Sequence, residues 1–261
     1  MTYNIWLIVL SVCSYLFGSI NWALLISALK GINIRKMGSG NPGTLNMSRN
    51  LGLKFGLLTF FLDVFKGAIP TLISFFVFGD LQFKNTDFYI RDFALYLSGL
   101  SVVLGHIYPI YFKFKGGKGI ASTIGVLMVA ESVHGIEWAA VAIMAIIAAA
   151  LFIYFTEFGA MGSFIAITPP AISGSIRLFL GYGAGNVGEF SKTLVFYVIT
   201  NMMIFAICLF TWFAHRKNIE RMLSGDEHPT SFKSMIVKAK AKKLREKAEK
   251  EDDKLKKQAE K

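Results

Sequence analysis

Only two cysteines occur in the 261 residues, Cys13 and Cys208, and each lies inside an apolar run. No spacing supports a zinc site or a disulfide framework, so both read as small core residues. A nucleotide P-loop is also missing. That motif needs Gly-Lys followed directly by Ser or Thr, whereas Lys118 is followed by Gly119, and ATP or GTP binding is unsupported. There is no G-x-S-x-G nucleophile elbow and no paired acidic motif for metal-dependent transfer. The first apolar run lacks an A-x-A cleavage site, so it is expected to be a retained helix and not a signal peptide. Positive charge is scarce in three places: the loops near 80–92, 131–137 and 181–191 hold only Lys84 and Arg91 between them.

What is abundant is apolar surface. The chain is 54% hydrophobic and 14% aromatic, too apolar for an ordinary soluble domain. Runs of about 20 apolar residues are long enough to cross a bilayer. Seven are expected, at 4–29, 53–79, 93–112, 119–134, 137–156, 159–180 and 192–214, the fourth short enough to be tilted or re-entrant. The expected fold is therefore an all-α integral membrane protein of about seven transmembrane helices. The net charge is +11, and its placement is uneven: five Lys/Arg lie in 30–54, three in 113–118 and fifteen after His215. The positive-inside rule puts those segments and the C-terminus in the cytoplasm and the N-terminus outside. Residues 1–227 read as one membrane domain. Residues 228–261, rich in Lys, Glu and Ala, read as a solvated, solubilising tail with no specific partner, helical or disordered; attraction to anionic lipid headgroups is the less favoured alternative.

Three polar segments interrupt the apolar pattern on that side. In GSGNPGTLNMSR, Gly38, Gly40 and Gly43 allow tight turns and Pro42 stiffens the loop. Ser39, Asn41, Thr44 and Asn46 supply neutral hydrogen-bonding groups, and Arg49 a planar cation suited to phosphate. In GHIYPIYFKFKGGKG, Lys113, Lys115 and Lys118 crowd a helix end beside Gly116, Gly117 and Gly119. Lysine is expensive near hydrocarbon and is kept there where charge is handled, and glycine lets backbone N–H groups approach a ligand. His106, ahead of the rigid Tyr108–Pro109 bend, reads as structural. In AHRKNIERMLSGDE, His215 and Asn218 share one helix face at i, i+3. The cations around them, Arg216, Lys217 and Arg221, should keep His215 neutral. Asp63 and Lys66, also i, i+3 but inside the second span, are expected to form a structural ion pair facing the interior. The turn around Thr156–Ser163 carries Glu157 and two glycines. Three such sites on one side of a membrane point to an enzyme that joins a water-soluble anion to a lipid.

Taken together and in this order, the segments resemble the acyl-phosphate-dependent glycerol-3-phosphate acyltransferases of bacteria, the PlsY family. The family patterns G-S-G-N-x-G-A-T-N-x-x-R, G-H-x-F-P-x-x-x-x-F-K-G-G-K-G and R-H-x-x-N-I-x-R-L-x-x-G-x-E match these three stretches, and the LDVFKG run at Leu62–Gly67 also fits. The resemblance covers about 1–227 and leaves the tail unmatched. It implies transfer of an acyl group from acyl phosphate to the 1-hydroxyl of glycerol 3-phosphate, giving lysophosphatidic acid at the start of phospholipid synthesis. It implies a seven-helix fold in the bacterial cell membrane, an active site on the cytoplasmic face, and no coenzyme A, acyl carrier protein, metal or other cofactor. Partners would be the two substrates, membrane lipid and the soluble enzyme that makes acyl phosphate, with no nucleic acid. Carried onto this chain, His215, Asn218, Lys118 and Arg49 would be the catalytic group. Ser39, Gly40, Asn41, Thr44, Asn46, Gly116 and Gly117 would bind substrate.

Several positions depart from the pattern. Thr44-Leu45 stands where the family has Ala-Thr, Ala214 where it has Arg, and Glu157 and Ala160 where its inner turn carries Arg and Ser. Ser163 is a candidate replacement for that serine. The His215–Glu220 spacing is close to, but is not, the H-x-x-x-x-D pair of another class of glycerolipid acyltransferases. Two other readings stand beside the enzyme: an anion transporter, which fits less well because transporter sites tend to sit near the midplane, and an inactive homologue acting as a membrane scaffold.

Overall fold

The computed structural model describes residues 2–185, 192–226, 230, 233–237, 240, 241 and 244. Among these the chain is helical, apart from a single bridge between Gln82 and Tyr89. The helices are α1 (Thr2–Gly18), α2 (Trp22–Leu29), α3 (Thr44–Leu51), α4 (Leu53–Phe78), α5 (Ile90–Ile107), α6 (Ile120–Ser132), α7 (Ile136–Thr156), α8 (Gly159–Gly185), α9 (Lys192–Ala214) and α10 (Arg216–Leu223). Most of the expected 228–261 tail lies outside the described residues; 233–237, 240, 241 and 244 are helical.

Among the described residues, six stretches are long and apolar enough to cross a membrane: Tyr3–Leu29, Leu53–Phe78, Ile90–Phe112, Ile136–Thr156, Gly159–Gly181 and Thr193–Ala214. Their outward faces carry large apolar side chains such as Ile8, Phe61, Phe76, Met144 and Phe205, all exposed, as contact with hydrocarbon requires. The protein is thus a multi-pass membrane protein. Two of the seven expected spans differ in detail. The first is broken at Ser19–Asn21, where Asn21 caps α2 by accepting a hydrogen bond from the Leu24 amide at 3.0 Å. The fourth is α6, only 13 residues long, or about 20 Å at the helical rise. It sits at the centre of the bundle against α4, α5, α7, α8 and α9. Three of its polar residues, Ser122, Thr123 and Glu131, are fully buried, and Ser132 at its end is exposed. A helix wrapped in protein does not need to match the bilayer's thickness, nor to be uniformly apolar.

Close approach of α4 and α6 depends on glycine. A Cβ on Gly67 would lie 2.0 Å from the Ser122 carbonyl oxygen, and one on Gly125 2.0 Å from that of Val64. Membrane helices associate through such small residues because lipid supplies no hydrophobic drive between them. Gly125→Ala is expected to force the helices apart and to destabilise the fold by about 1–3 kcal/mol, the usual range for overpacking. A lower thermal midpoint in detergent than the wild type checks this.

Helix direction then settles where the polar segments go. The loop between α2 and α4, the turn from α5 to α6, the turn from α7 to α8 and the end of α9 all fall at one end of the bundle. At the other end Arg91 pairs with Asp80, and Asp92 lies 3.0 Å from His134.

Candidate active site

The first segment is a loop folded around one side chain. Gly38 and Gly40 adopt left-handed backbone (φ 52° and 70°), which glycine reaches without strain. Asn46, buried on α3, holds the turn: its Nδ2 donates to the carbonyls of Ile34 (3.2 Å) and Met37 (3.0 Å), and its Oδ1 accepts from the Ser39 amide (3.2 Å) and from Asn50 Nδ2 (3.0 Å). An amide side chain has two donors and two acceptor positions, and Asn46 spends three of the four on the loop and the fourth on Asn50 of its own helix. It serves as a brace for the loop. Ser39 is left exposed at the tip, with Gly40, Asn41 and Thr44 half-buried behind it. Gly43 precedes α3 with no side-chain cap, leaving that helix's first amides directed out of its N-terminus.

The second segment doubles back along the end of α5. The amides of Gly116 and Gly117 donate to the carbonyls of Ile107 and His106, both at 3.1 Å. This corrects the expectation that these glycines offer their N–H groups to a ligand. They are small because the chain passes close to itself: a Cβ on Gly117 would lie 2.3 Å from His106 Nε2 and 3.2 Å from the Pro42 carbonyl oxygen. The second contact joins the first and second segments, as does a hydrogen bond from Arg35 to the Lys115 carbonyl. Beyond Lys118, Gly119 starts α6, again without a side-chain cap. Two helix N-termini, each favouring an anion, therefore flank this junction.

Beneath Gly117 lies a buried polar network. Lys66 Nζ is 3.1 Å from Asp63 Oδ1, donates to the Ile20 carbonyl at 2.7 Å, and lies 2.9 Å from His106 Nδ1. The Ile20 carbonyl belongs to the break between α1 and α2, so the buried ammonium bonds to a backbone group that the break exposes. An ammonium only donates, so His106 Nδ1 accepts and the proton sits on Nε2, on the side of Gly117. The i, i+3 spacing does form the expected ion pair, but nothing in the sequence links it to His106 or to the glycine loop.

The third segment closes on the second. Lys118 Nζ donates to Asn218 Oδ1, and Asn218 sits one turn after His215, whose carbonyl accepts from the Asn218 amide at 2.7 Å. His215 is buried, with Phe164 edge-on at 5.4 Å. Its Nδ1 donates to the Thr211 carbonyl at 2.8 Å, leaving the lone pair on Nε2. Burial first, and the Lys118 charge second, push the imidazole down to about 4. The neutrality expected for His215 thus comes from burial and Lys118, not from Arg216, Lys217 and Arg221. Unfolded histidine titrates near 6.5, so between about pH 6.5 and 4 the unfolded chain binds the extra proton and stability falls as pH falls. An NMR titration of His215 in detergent is expected to show no midpoint above pH 5; a midpoint near 6.5 would contradict its burial as a neutral base.

A fourth element comes from the turn between α7 and α8. Glu157 ends α7 in left-handed backbone, Ala160 is buried, and the Ser163 hydroxyl donates back to the Gly159 carbonyl at 2.8 Å. Gly159 packs against Leu45 of the first segment and against Thr230. Arg49, exposed on α3, donates from Nε to the Thr230 carbonyl at 3.1 Å. Sequence reasoning did not anticipate Thr230 or Phe164; neither belongs to a pattern that local spacing would reveal.

Comparison with known proteins identifies the family. The family model described as glycerol-3-phosphate acyltransferase matches residues 8–225. The glycerol-3-phosphate acyltransferase of Aquifex aeolicus is 36% identical over 220 residues, covering 84% of this chain and 96% of that one. The Mycoplasmopsis pulmonis enzyme of the same name is 36% identical, covering 82% and 88%. Among solved structures, the crystal structure of PlsY (YgiH), an integral membrane glycerol 3-phosphate acyltransferase, is similar in its glycerol 3-phosphate form at TM-score 0.65 and 34% identity. The match covers 85% of this chain and 94% of that one. Its lysophosphatidic acid form matches at TM-score 0.63.

Proposed function

This chain belongs to the glycerol-3-phosphate acyltransferase family, and from that premise we propose that it moves an acyl group from acyl phosphate to the 1-hydroxyl of sn-glycerol 3-phosphate, releasing lysophosphatidic acid and phosphate. The observation that carries the reading is the meeting of Lys118, Asn218 and a neutral, buried His215 beside the N-termini of α3 and α6. Both substrates are anions, and the site collects a cation and two positive helix ends to receive them.

The chemistry follows from the donor. In an acyl phosphate the carbonyl is already activated, so no nucleophilic side chain is required, and positioning with charge stabilisation suffices. The glycerol hydroxyl adds to the acyl carbon and the negative charge moves to the carbonyl oxygen. The C–O bond to phosphate then breaks, and phosphate leaves with its electron pair. Lys118 stabilises the phosphate oxygens, and Asn218 fixes the ammonium. His215 Nε2 accepts a hydrogen bond from the attacking hydroxyl and orients it. An imidazole at about 4 is a weak base, so the departing phosphate takes the proton. Ser39, Gly40, Asn41 and Thr44 shape the turn that borders the phosphate, with Asn46, Gly116 and Gly117 holding it in place.

The bacterial cell membrane and a cytoplasmic-facing site complete the reading. They are supported by the concentration of Lys and Arg in the loops at the site's end of the bundle. The soluble enzyme that makes acyl phosphate is the partner this donor implies. The test uses purified protein in mild detergent with long-chain acyl phosphate and glycerol 3-phosphate, without coenzyme A. Lysophosphatidic acid and released phosphate are expected in equal amounts, with none formed from acyl-coenzyme A. Turnover with acyl-coenzyme A alone would overturn the donor assignment.

A further inference from the structure

In the proposed reaction, addition of the glycerol hydroxyl moves negative charge onto the acyl carbonyl oxygen. A fixed N–H aimed at such an oxygen contributes strongly to rate, and backbone amides often supply it. Here the amides of Gly116 and Gly117 are already bonded to the Ile107 and His106 carbonyls. A different N–H faces the same place. His106 lies in the last turn of α5, and its side chain is only 4% exposed. Two donors converge on Nδ1, the Lys66 ammonium at 2.9 Å and the Ser122 hydroxyl at 3.2 Å, so the ring proton is on Nε2. No hydrogen bond among the described residues reaches Nε2. It is directed at Gly117, where a Cβ would collide with it and would lie 3.2 Å from the Pro42 carbonyl oxygen. The N–H therefore points into the junction of the first two segments, one residue before Lys118, and the absent side chain at Gly117 leaves it uncovered.

We propose that His106 is a catalytic residue: its Nε2–H donates a hydrogen bond to the acyl carbonyl oxygen of acyl phosphate and stabilises the oxyanion formed on attack. This rests on the function proposed above. Three arguments lead to it. First, a phosphate group carries its charge before and during the reaction and suits a cation, whereas the carbonyl oxygen is nearly neutral until it is attacked. A neutral N–H therefore favours the transition state over the bound substrate. Second, the ring is held in place beforehand. Lys66 fixes Nδ1 and is itself tied to Asp63 at 3.1 Å and to the Ile20 carbonyl at 2.7 Å. An ammonium on Nδ1 also polarises the ring and strengthens the bond that Nε2–H can make. Third, His106 sits near the end of the span Ile90–Phe112. An acyl chain lying in the bilayer brings its first carbon to that depth, with the phosphate beyond it toward Lys118. No bond to His106 forms or breaks. The Nε2 proton stays on the ring, and the oxyanion collapses when phosphate leaves with its electron pair.

The experiment compares the full-length enzyme with His106→Leu and His106→Gln. The leucine variant removes the N–H and leaves Lys66 its bonds to Asp63 and the Ile20 carbonyl. The glutamine variant keeps an acceptor for Lys66 and a donor at the other end of its amide. His106→Leu is expected to lower kcat by about 10²–10³, the effect of one oxyanion donor, with both KM values within about threefold of wild type. His106→Gln should regain about tenfold or more of that loss. The second readout uses a long-chain 2-oxoalkyl phosphonate, which keeps the carbonyl but has CH2 in place of the bridging oxygen and cannot transfer its acyl group. Its carbonyl stretch, followed by infrared difference spectroscopy with an isotope-labelled carbonyl, should fall to lower frequency on binding the wild type and fall less on binding His106→Leu. Unchanged kcat in a folded His106→Leu would overturn the proposal. So would a raised KM with unchanged kcat, because the contact would then be made equally in the bound substrate. An unshifted carbonyl in the wild type would also overturn it. If His106→Leu does not fold, the wild-type stretch and its change in His106→Gln decide. The phosphonate needs no turnover, so a wild type that shifts its carbonyl but forms no lysophosphatidic acid would sink the proposed reaction and leave the His106 contact standing.

Discussion

Lys118→Ala is expected to lower kcat/KM by about a thousandfold while the protein keeps its fold. The size follows from what the ammonium does. It is the charged member of the Lys118–Asn218–His215 group, and in the reaction proposed above it faces leaving-group charge that grows as the acyl–phosphate bond breaks. A preorganised donor aimed at developing charge is worth about 10²–10³ in rate by itself, and Asn218 loses the partner that orients it at the same time. The fold should survive because Lys118 is only half-buried and lies outside the helices. Steady-state kinetics with acyl phosphate and glycerol 3-phosphate, run beside a thermal melt, checks both halves. Wild-type rates in a folded variant would remove Lys118 from the chemistry. Lys118→Arg is not expected to rescue fully, because a planar fork does not replace a compact ammonium in a closed site. The variant also has a second signature. Since Lys118 helps push the His215 imidazole down, its removal should raise the His215 midpoint above the wild-type value.

Lys66→Met is expected to cost about 3–5 kcal/mol of stability, enough to prevent recovery of folded protein. Removing one partner of a buried pair leaves the other charge uncompensated, and here Asp63 remains 3% exposed with its cation gone. Two further bonds go with it: the Ile20 carbonyl loses its donor at the break between α1 and α2, and His106 Nδ1 loses the ammonium. Adding Asp63→Asn should recover much of the loss, since a neutral amide is far cheaper to bury than a lone carboxylate. The rescued double variant should still turn over slowly, because His106 Nδ1, beneath Gly117, keeps only the Ser122 hydroxyl at 3.2 Å of the two groups that hold it. Yield from membranes, thermal midpoint and kcat/KM of the three proteins test this. Equal stability of Lys66→Met and wild type would show that the ion pair does not matter to the fold.

The outline of this protein could be read along the chain. Hydropathy and charge are local properties, and a bilayer demands about 20 apolar residues per helix wherever they occur, so seven apolar spans, the fourth of them short, and the end that gathers the motifs were read from composition, and six of the seven are long enough to cross. Glycine, lysine and histidine at fixed spacing marked where an anion would be handled, and Asp63–Lys66 declared itself as a pair at i, i+3. What the residues at that site do for one another was decided only in three dimensions. Asn46 and Gly117 look like ligands in a motif, yet their polar atoms bond to carbonyls and amides that fold the loop. The 13-residue α6 looks like a poor membrane span, yet it is a buried centre whose polar side chains face protein. Lys66 meets the Ile20 carbonyl 46 residues away and His106 40 residues away, and Arg49 meets Thr230 across 181. Hydrogen bonds are directional and act over about 3 Å, so a partner that far along the chain leaves no periodic trace. The sequence by itself determined which groups reach the end of the bundle, and packing decided which of them are bonded into the loops and which meet at Lys118, Asn218 and His215.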